Sequence, residues 1–170
     1  MNTFDLEKKF SLFCDGVIYK GLGHRVEHIT SKEEQEKYGD KKLFRTDGTK
    51  IYIDEKSSSY LHSDMVIEVE QDLETNNHGW WSKLIWCNAL VYGYYDGEDK
   101  ECPTIVYLVK WNELKKYIVD LHYNDAHKSP KYRTFKLDYT TKGFGITYNI
   151  YCPWKKLIEQ KIVAKIYPTF

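Results

Sequence analysis

No stretch of this chain approaches the ~18 consecutive apolar residues that a membrane-spanning helix needs. Met1 to Phe13 carries Asp5, Glu7, Lys8 and Lys9 where a secretory leader would be apolar. The expectation is a cytoplasmic protein without a membrane partner. Cysteine is sparse: Cys14, Cys87, Cys102 and Cys152 are widely scattered and form no Cys-x-x-Cys pair. That argues against a zinc knuckle and against a disulfide framework, and leaves buried thiols as the expected state. Only four prolines interrupt 170 residues of which 42% are hydrophobic, so wholesale disorder is excluded. A glycine-rich phosphate loop, a serine nucleophile elbow and a cysteine–histidine signature are all missing, which sets those enzyme classes aside. His24 and His28 are four apart, but in a segment that reads as strand or loop and without a Glu-x-x-His order. A zinc site is not expected there.

Net charge is also lacking, yet the balance conceals an asymmetry. Residues 1–109 hold 13 basic and 20 acidic side chains, whereas residues 110–170 hold 12 basic and 5 acidic ones. An acidic half beside a basic half suits a metal site in one and polyanion contact in the other; it equally suits a homodimer whose halves attract. What the chain has in quantity is aromatic: 15 tyrosines and five tryptophans, fit for half-buried strands or for a stacking surface. A length of 170 residues fits one domain.

Periodicity gives the order of elements. Phe4, Leu6, Phe10 and Phe13, with charges between them, predict an opening helix up to Asp15, after which Gly16, Gly21 and Gly23 loosen the chain. Thr30 or Ser31 caps a short exposed helix that Gly39 ends. Two strands, 41–46 and 50–57, flank Asp47-Gly48, a hairpin signal. Met65 to Gln71 alternates, and Ala89 to Tyr95 and Thr104 to Val109 read as buried strands. Trp111 to Val119 is helical, with Asp120 to Arg133 polar and irregular. A late hairpin, a short helix opened by Pro153 and a final strand at 162–167 complete the chain. The fold class expected is α/β (α+β), with a central mixed sheet flanked by helices.

The informative constellation is acidic. Asp54 and Lys56 stand two apart on a strand and share one face, with Glu55 on the other. Acid-x-lysine triplets occur six times here, beginning at Glu7, Asp40, Asp54, Glu98, Glu113 and Glu159, so context must supply the specificity. The hairpin supplies some. A three-residue loop Thr46-Asp47-Gly48 pairs Arg45 with Thr49 and sets Asp40 opposite Asp54, about 5 Å apart between β-carbons. Two like charges so placed are explained more easily with a cation between them. Glu68 on the following strand is the favoured third acid, with Glu70 as second choice. Carboxylate-only ligation suits Mg²⁺ or Mn²⁺ rather than zinc.

These residues resemble the PD-(D/E)xK nuclease superfamily. The matching stretches are Gln35-Glu36-Lys37-Tyr38-Gly39-Asp40, Ile51-Tyr52-Ile53-Asp54-Glu55-Lys56 and Val66-Ile67-Glu68-Val69-Glu70. Gly79-Trp80 before the strand Ala89-Leu90-Val91-Tyr92, and the 105–118 strand–helix unit, resemble small phage and bacterial members. The likeness covers residues 24–118 well and the last third loosely. It implies a restriction-endonuclease-like domain over 1–170 and a magnesium-dependent DNA endonuclease. Asp40, Asp54, Lys56 and Glu68 would be catalytic, and Asp40, Asp54, Glu68 and Glu70 would hold the metal. Glu7 matches, weakly, a helix glutamate of some members. Asp40 follows Gly39 where the motif has proline.

Lys42 and Lys50, on the face of Asp54, and the basic segment of Lys128, Lys131 and Arg133 are the candidate nucleic-acid contacts. Trp80 and Trp81 either stack on bases or close the core, the second being the commoner use. Against the catalytic reading stand two others. One is a nuclease-fold protein that binds nucleic acid or a protein without hydrolysis; the other is a structural or inhibitory interaction protein. In either, Asp40 and Asp47 would serve turns, Asp54 and Lys56 would form a surface pair, and Glu68 and Glu70 would be solvated.

Overall fold

A computed structural model describes residues 3–72, 77–97, 100–125, 136–142 and 145–168. The chain opens with α1 (Thr3–Phe13), which passes without a break into a π-helical turn (Cys14–Tyr19). Gly16 therefore lies inside helix rather than loosening it. Strand β1 (Arg25–His28) leads to α2 (Lys32–Tyr38), where the Ser31 hydroxyl accepts from the Glu34 N–H and Gly39 closes the helix. Next come β2 (Lys41–Phe44), β3 (Lys50–Ser58), β4 (Asp64–Asp72), the short β5 (Asn77–His78) and α3 (Trp80–Lys83). Strands β6 (Ala89–Tyr94) and β7 (Ile105–Lys110) precede α4 (Trp111–Asp125). The last elements are β8 (Lys136–Lys142), β9 (Gly145–Pro153), α5 (Trp154–Glu159) and β10 (Val163–Tyr167). Helix α4 runs six residues past Val119, over ground the polar composition had suggested was irregular.

The strands form two sheets rather than one. A six-stranded mixed sheet has the order β1-β2-β3-β6-β7-β10, antiparallel throughout except for the parallel pair β3–β6. A four-stranded antiparallel sheet has the order β5-β4-β9-β8. Strand β4, which carries Glu68, belongs to this second sheet and pairs with β9. The expectation of one central sheet is corrected in this respect. The mixed α/β class holds.

Alternation along the six-stranded sheet divides the core in two. Leu43, Ile53, Val91 and Val106 face α1 and the π-turn, where Leu6, Phe10 and Cys14 meet them. Leu90, Tyr94, Tyr107 and Val109 face the other way, toward Met65 and Ile67 of β4, Trp111 and Leu114 of α4, and Trp154 of α5. Burial of this apolar surface, at roughly 25 cal/mol per Å², is what seats α1 on one face and the second sheet on the other. Cys14, Cys87 and Cys152 are buried thiols and Cys102 is exposed. Among the described residues no helix is long and apolar enough to cross a membrane.

The β2–β3 hairpin has the register read from the loop. Arg45 N–H donates to Thr49 O at 2.9 Å, Gly48 takes φ +82°, and the ladder runs from Phe44↔Lys50 to Lys41↔Ile53. It stops there. Strand β3 continues to Ser58 with β6 on one side, but beyond Ile53 its other edge has lost β2. That open edge positions the candidate site.

Candidate functional site

Gly39 makes the opening. Its φ is +93°, and a β-carbon placed on it would sit 2.6 Å from Ile53 O and 2.8 Å from Asp54 N. Only glycine allows the chain to leave α2 this close to β3. We expect Gly39→Ala to cost about 1–3 kcal/mol from the left-handed backbone alone, and more from the overlap. Urea denaturation checks it, and a variant within 0.5 kcal/mol of wild type, about the scatter of ordinary surface changes, would mean the turn tolerates a side chain.

Immediately after this turn Asp40 swings its carboxylate over the open edge. The Glu55 N–H, which no strand partner takes on that side, donates to Asp40 Oδ2 at 2.8 Å. Asp40 is thus not a ladder residue facing Asp54 across paired strands. It caps the frayed edge of β3, and through this bond lies beside both Asp54 and Lys56.

Asp54 is buried, next to Leu90 in the parallel pairing of β3 with β6. Its Oδ2 receives no hydrogen bond of good angle, and the Lys56 ammonium lies 2.5 Å away. Burial pushes the Asp54 carboxyl up to about 6, against the pull of Lys56 and with the charge of Asp40 adding to the rise. Burial acts to lower the Lys56 ammonium, but the carboxylates of Asp54, Asp40 and Glu7 outweigh it and hold the group above the usual lysine range. The side chain of Lys56 is 30% exposed and its ammonium lies 5.7 Å from the Trp80 ring centroid.

Two adjoining cavities meet at Asp40 and Lys56. The smaller, 220 Å³, is bordered by Gln35 and Glu36 of α2, by Asp54, and by Trp80 and Lys83 of α3. The larger, 420 Å³, lies on the α1 side and is bordered by Glu7, Ser11, Gln35, Lys41 and Glu55. Asp40 and Lys56 therefore stand at the junction, with Asp54 on the side of the smaller cavity and Glu7 on the side of the larger.

Glu68 does not join them. It sits on β4 of the second sheet, paired with Asn149, and borders neither cavity; Glu70 lies farther along that strand. Lys42 is 3.6 Å from Glu27, and both Lys42 and Lys50 stand 5.9 Å from the Phe44 ring, away from the cavities. Lys128, Lys131 and Arg133 lie outside the described residues. Trp80 and Trp81 both pack on Trp111, as core-closing residues do, although Trp80 also borders the smaller cavity. His28 stands on β1, its Nε2 2.9 Å from Asp15 Oδ2.

One group was invisible to motif reading. Glu55, on the opposite face of β3 from Asp54, pairs at 2.9 Å with Lys41, which is fully buried. Lys41 also lies 2.6 Å from Asp15 and donates to Ser11 O, while the Tyr19 hydroxyl donates to Glu55 at 2.7 Å. The parity of β3 signalled that Glu55 faces away from Asp54; nothing local signalled its partners.

Carboxylates of this kind hold hard cations, and Mg²⁺ is commonly bound through one or two of them plus water. Asp40 and Asp54 are the two acids here that could serve so, although Asp54 Oδ2 already faces the Lys56 ammonium and Asp40 Oδ2 the Glu55 N–H. Among the described residues no group of three or more Asp, Glu, His or Cys side chains converges on one point, so any such ion would rest on two acids and not the three expected.

Comparison with protein-family models, with curated proteins and with solved structures gives no match. The reading of this site rests on its own chemistry.

The Asp54 shift has a definite sign. Folding raises this carboxyl from 3.8, so the fold favours its protonated form. The associated stabilisation is complete below pH 3.8 and is lost as pH rises through about 6. We expect the Asp54 carboxyl carbon to titrate near 6 by NMR in the metal-free protein, and Mg²⁺ to move that midpoint down. A midpoint at the ordinary aspartate value would remove the physical basis of the site.

Proposed function

We propose that the protein is a divalent-metal-dependent nuclease of restriction-endonuclease-like fold that hydrolyses phosphodiester bonds in DNA. The observation that carries this reading is the meeting of Asp40, Asp54 and Lys56 at the open edge of β3, with Glu7 of α1 and the same lysine bordering one cavity. Asp40 and Asp54 would hold Mg²⁺ or Mn²⁺. A bound ion would supply charge neutralisation at a non-bridging phosphate oxygen and a water of lowered pKa.

The chain's own groups divide the remaining work. Lys56 stays protonated at neutral pH, so it acts as a fixed positive charge toward the pentacovalent phosphate and not as a base. Asp54 and Asp40 would hold the ion, and the attacking water would release its proton to solvent. The water oxygen bonds to phosphorus, the bond from phosphorus to the leaving sugar oxygen breaks, and that oxygen takes a proton from solvent. Asp40 keeps the open edge of β3 in place through the Glu55 N–H. Lys83 and Lys32, on the rim of the smaller cavity, supply further positive charge for the backbone.

A second reading is a nuclease-fold protein that binds nucleic acid without cutting it. It is favoured by the ion pair of Lys56 with Asp54 and by the want of a third converging acid. Incubation with single-stranded, duplex and branched DNA in Mg²⁺ or Mn²⁺, alongside calorimetric titration of the metal, separates the two. Cleavage with metal uptake supports hydrolysis. Tight DNA binding with neither cleavage nor metal heat supports the second reading.

A further inference from the structure

The α1 helix carries two apolar stripes, and only one of them enters the core. Leu6 and Phe10 are buried at 6% and 1% exposure, against the six-stranded sheet. Phe4 and Leu12 are 72% and 64% exposed, and with Lys8 they follow an i, i+4, i+8 spacing that aligns them on a separate face. That face is not idle surface: Phe4, Lys8 and Leu12 all border the 420 Å³ cavity, with Ile29 contributing a further apolar side chain. The same cavity reaches Asp40 and Lys56. An apolar wall of Phe4, Leu12 and Ile29, with Lys8 between the first two, is thus built beside the carboxylate–lysine site.

We propose that this cavity takes one unstacked nucleotide next to the scissile phosphate, so that the substrate is single-stranded nucleic acid, or a frayed or flap end, and not continuous duplex. This rests on the nuclease reading given above for its placement of the phosphate. Size agrees: small-ligand sites occupy about 300–1,000 Å³, a range that includes this cavity and excludes its 220 Å³ neighbour. Chemistry agrees as well. The face of a base is flat and apolar and gains from contact with Phe4 and Leu12, while its edge carries donors that Glu7 and the Gln35 Oε1, which line the same cavity, can accept from; the Gln35 Nε2 donates to Ile29 O. In a duplex both faces are covered by neighbouring pairs, and lodging a base here would first require breaking that stacking. A single strand needs no such step. At the inner wall Glu55 and Lys41 are paired with each other, so Lys41 offers no free charge to a second phosphate, which favours the base as the part that enters.

The test is binding without chemistry. Fluorescence anisotropy in EDTA would compare a labelled 12-nucleotide single strand with a blunt hairpin duplex, on wild type and on Phe4→Ala/Leu12→Ala. Both side chains are exposed, so the variant should keep the wild-type thermal midpoint. We expect the single strand to bind more tightly than the duplex, and the variant to lose about tenfold on the single strand, as removal of one base-stacking partner does, with duplex binding unchanged. Equal loss on both forms, no loss, or tighter duplex binding would each overturn the assignment. Parallel cleavage in Mg²⁺ separates this from the parent reading. Cleavage with no selective loss leaves a nuclease without this subsite, and selective loss with no cleavage leaves the subsite on a non-hydrolytic binder.

Discussion

Asp54→Ala and Lys56→Ala are each expected to lower metal-dependent cleavage by at least about 10²–10³-fold, the scale on which single electrostatic groups act at a reacting centre. On the nuclease reading proposed above, the loss should fall on kcat more than on KM, because both groups would meet charge that develops as the phosphate is attacked. Glu68→Ala is the informative control. It lies on the second sheet and lines neither cavity, which predicts activity close to wild type. A large effect of Glu68→Ala with little effect of Asp54→Ala would reverse the assignment. Asp54→Ala should not produce its effect by unfolding. Asp54 is buried with an upward-shifted carboxyl, so its ionised form opposes folding near neutral pH, and circular dichroism should show a native spectrum.

Lys41→Ala is expected to be the most destabilising single substitution among the charged residues described, by about 3–5 kcal/mol, since removal of one partner from a buried pair strands the other. Lys41 is fully buried, and its loss would leave Glu55 buried without a cation, supported by hydrogen bonds from Tyr19 and Ser11, and Asp15 without its nearer cation. The effect should depend on pH in a stated direction. Burial raises the Glu55 carboxyl despite Lys41, so its protonated form is favoured by the fold and the stabilisation tied to that form is lost as pH rises. Without Lys41 that penalty grows, and the variant should lose least in acid, where Glu55 is neutral. Lys41→Met combined with Glu55→Gln should recover most of the loss. Chemical denaturation at pH 5 and pH 7.5 measures both, and an equal deficit at the two pH values would mean the ion pair is not the cause.

These two residues show why half of the site was legible and half was not. Asp54 and Lys56 could be put on one face because side chains alternate along any strand. The turn at Asp47-Gly48 then fixed the hairpin register that brings Asp40 near. Those are local rules, and the hairpin obeys them from Phe44↔Lys50 to Lys41↔Ile53. Glu68 could not be placed from the sequence for a non-local reason. Alternation along β4 says which residues share a face but not which sheet the strand joins, and β4 pairs with β9, some eighty residues later in the chain. The aromatic residues divide in the same way. Trp80 could be seen as either a stacking or a packing side chain, and only its contact with Trp111 decides for packing.

The amino-acid order by itself determined the mixed α/β class, the caps and turns of α2 and the β2–β3 hairpin, and the shared face of Asp54 and Lys56. Each of these depends on backbone preferences and periodicities acting over a few residues. Tertiary structure alone decided that β3 outruns β2, that Asp40 caps the exposed edge, that Glu7 and Lys56 border one cavity, and that Glu55 finds Lys41 and Tyr19 in the interior. The physical reason is that burial and pairing between distant segments depend on how whole faces pack, and no short window of sequence carries that information.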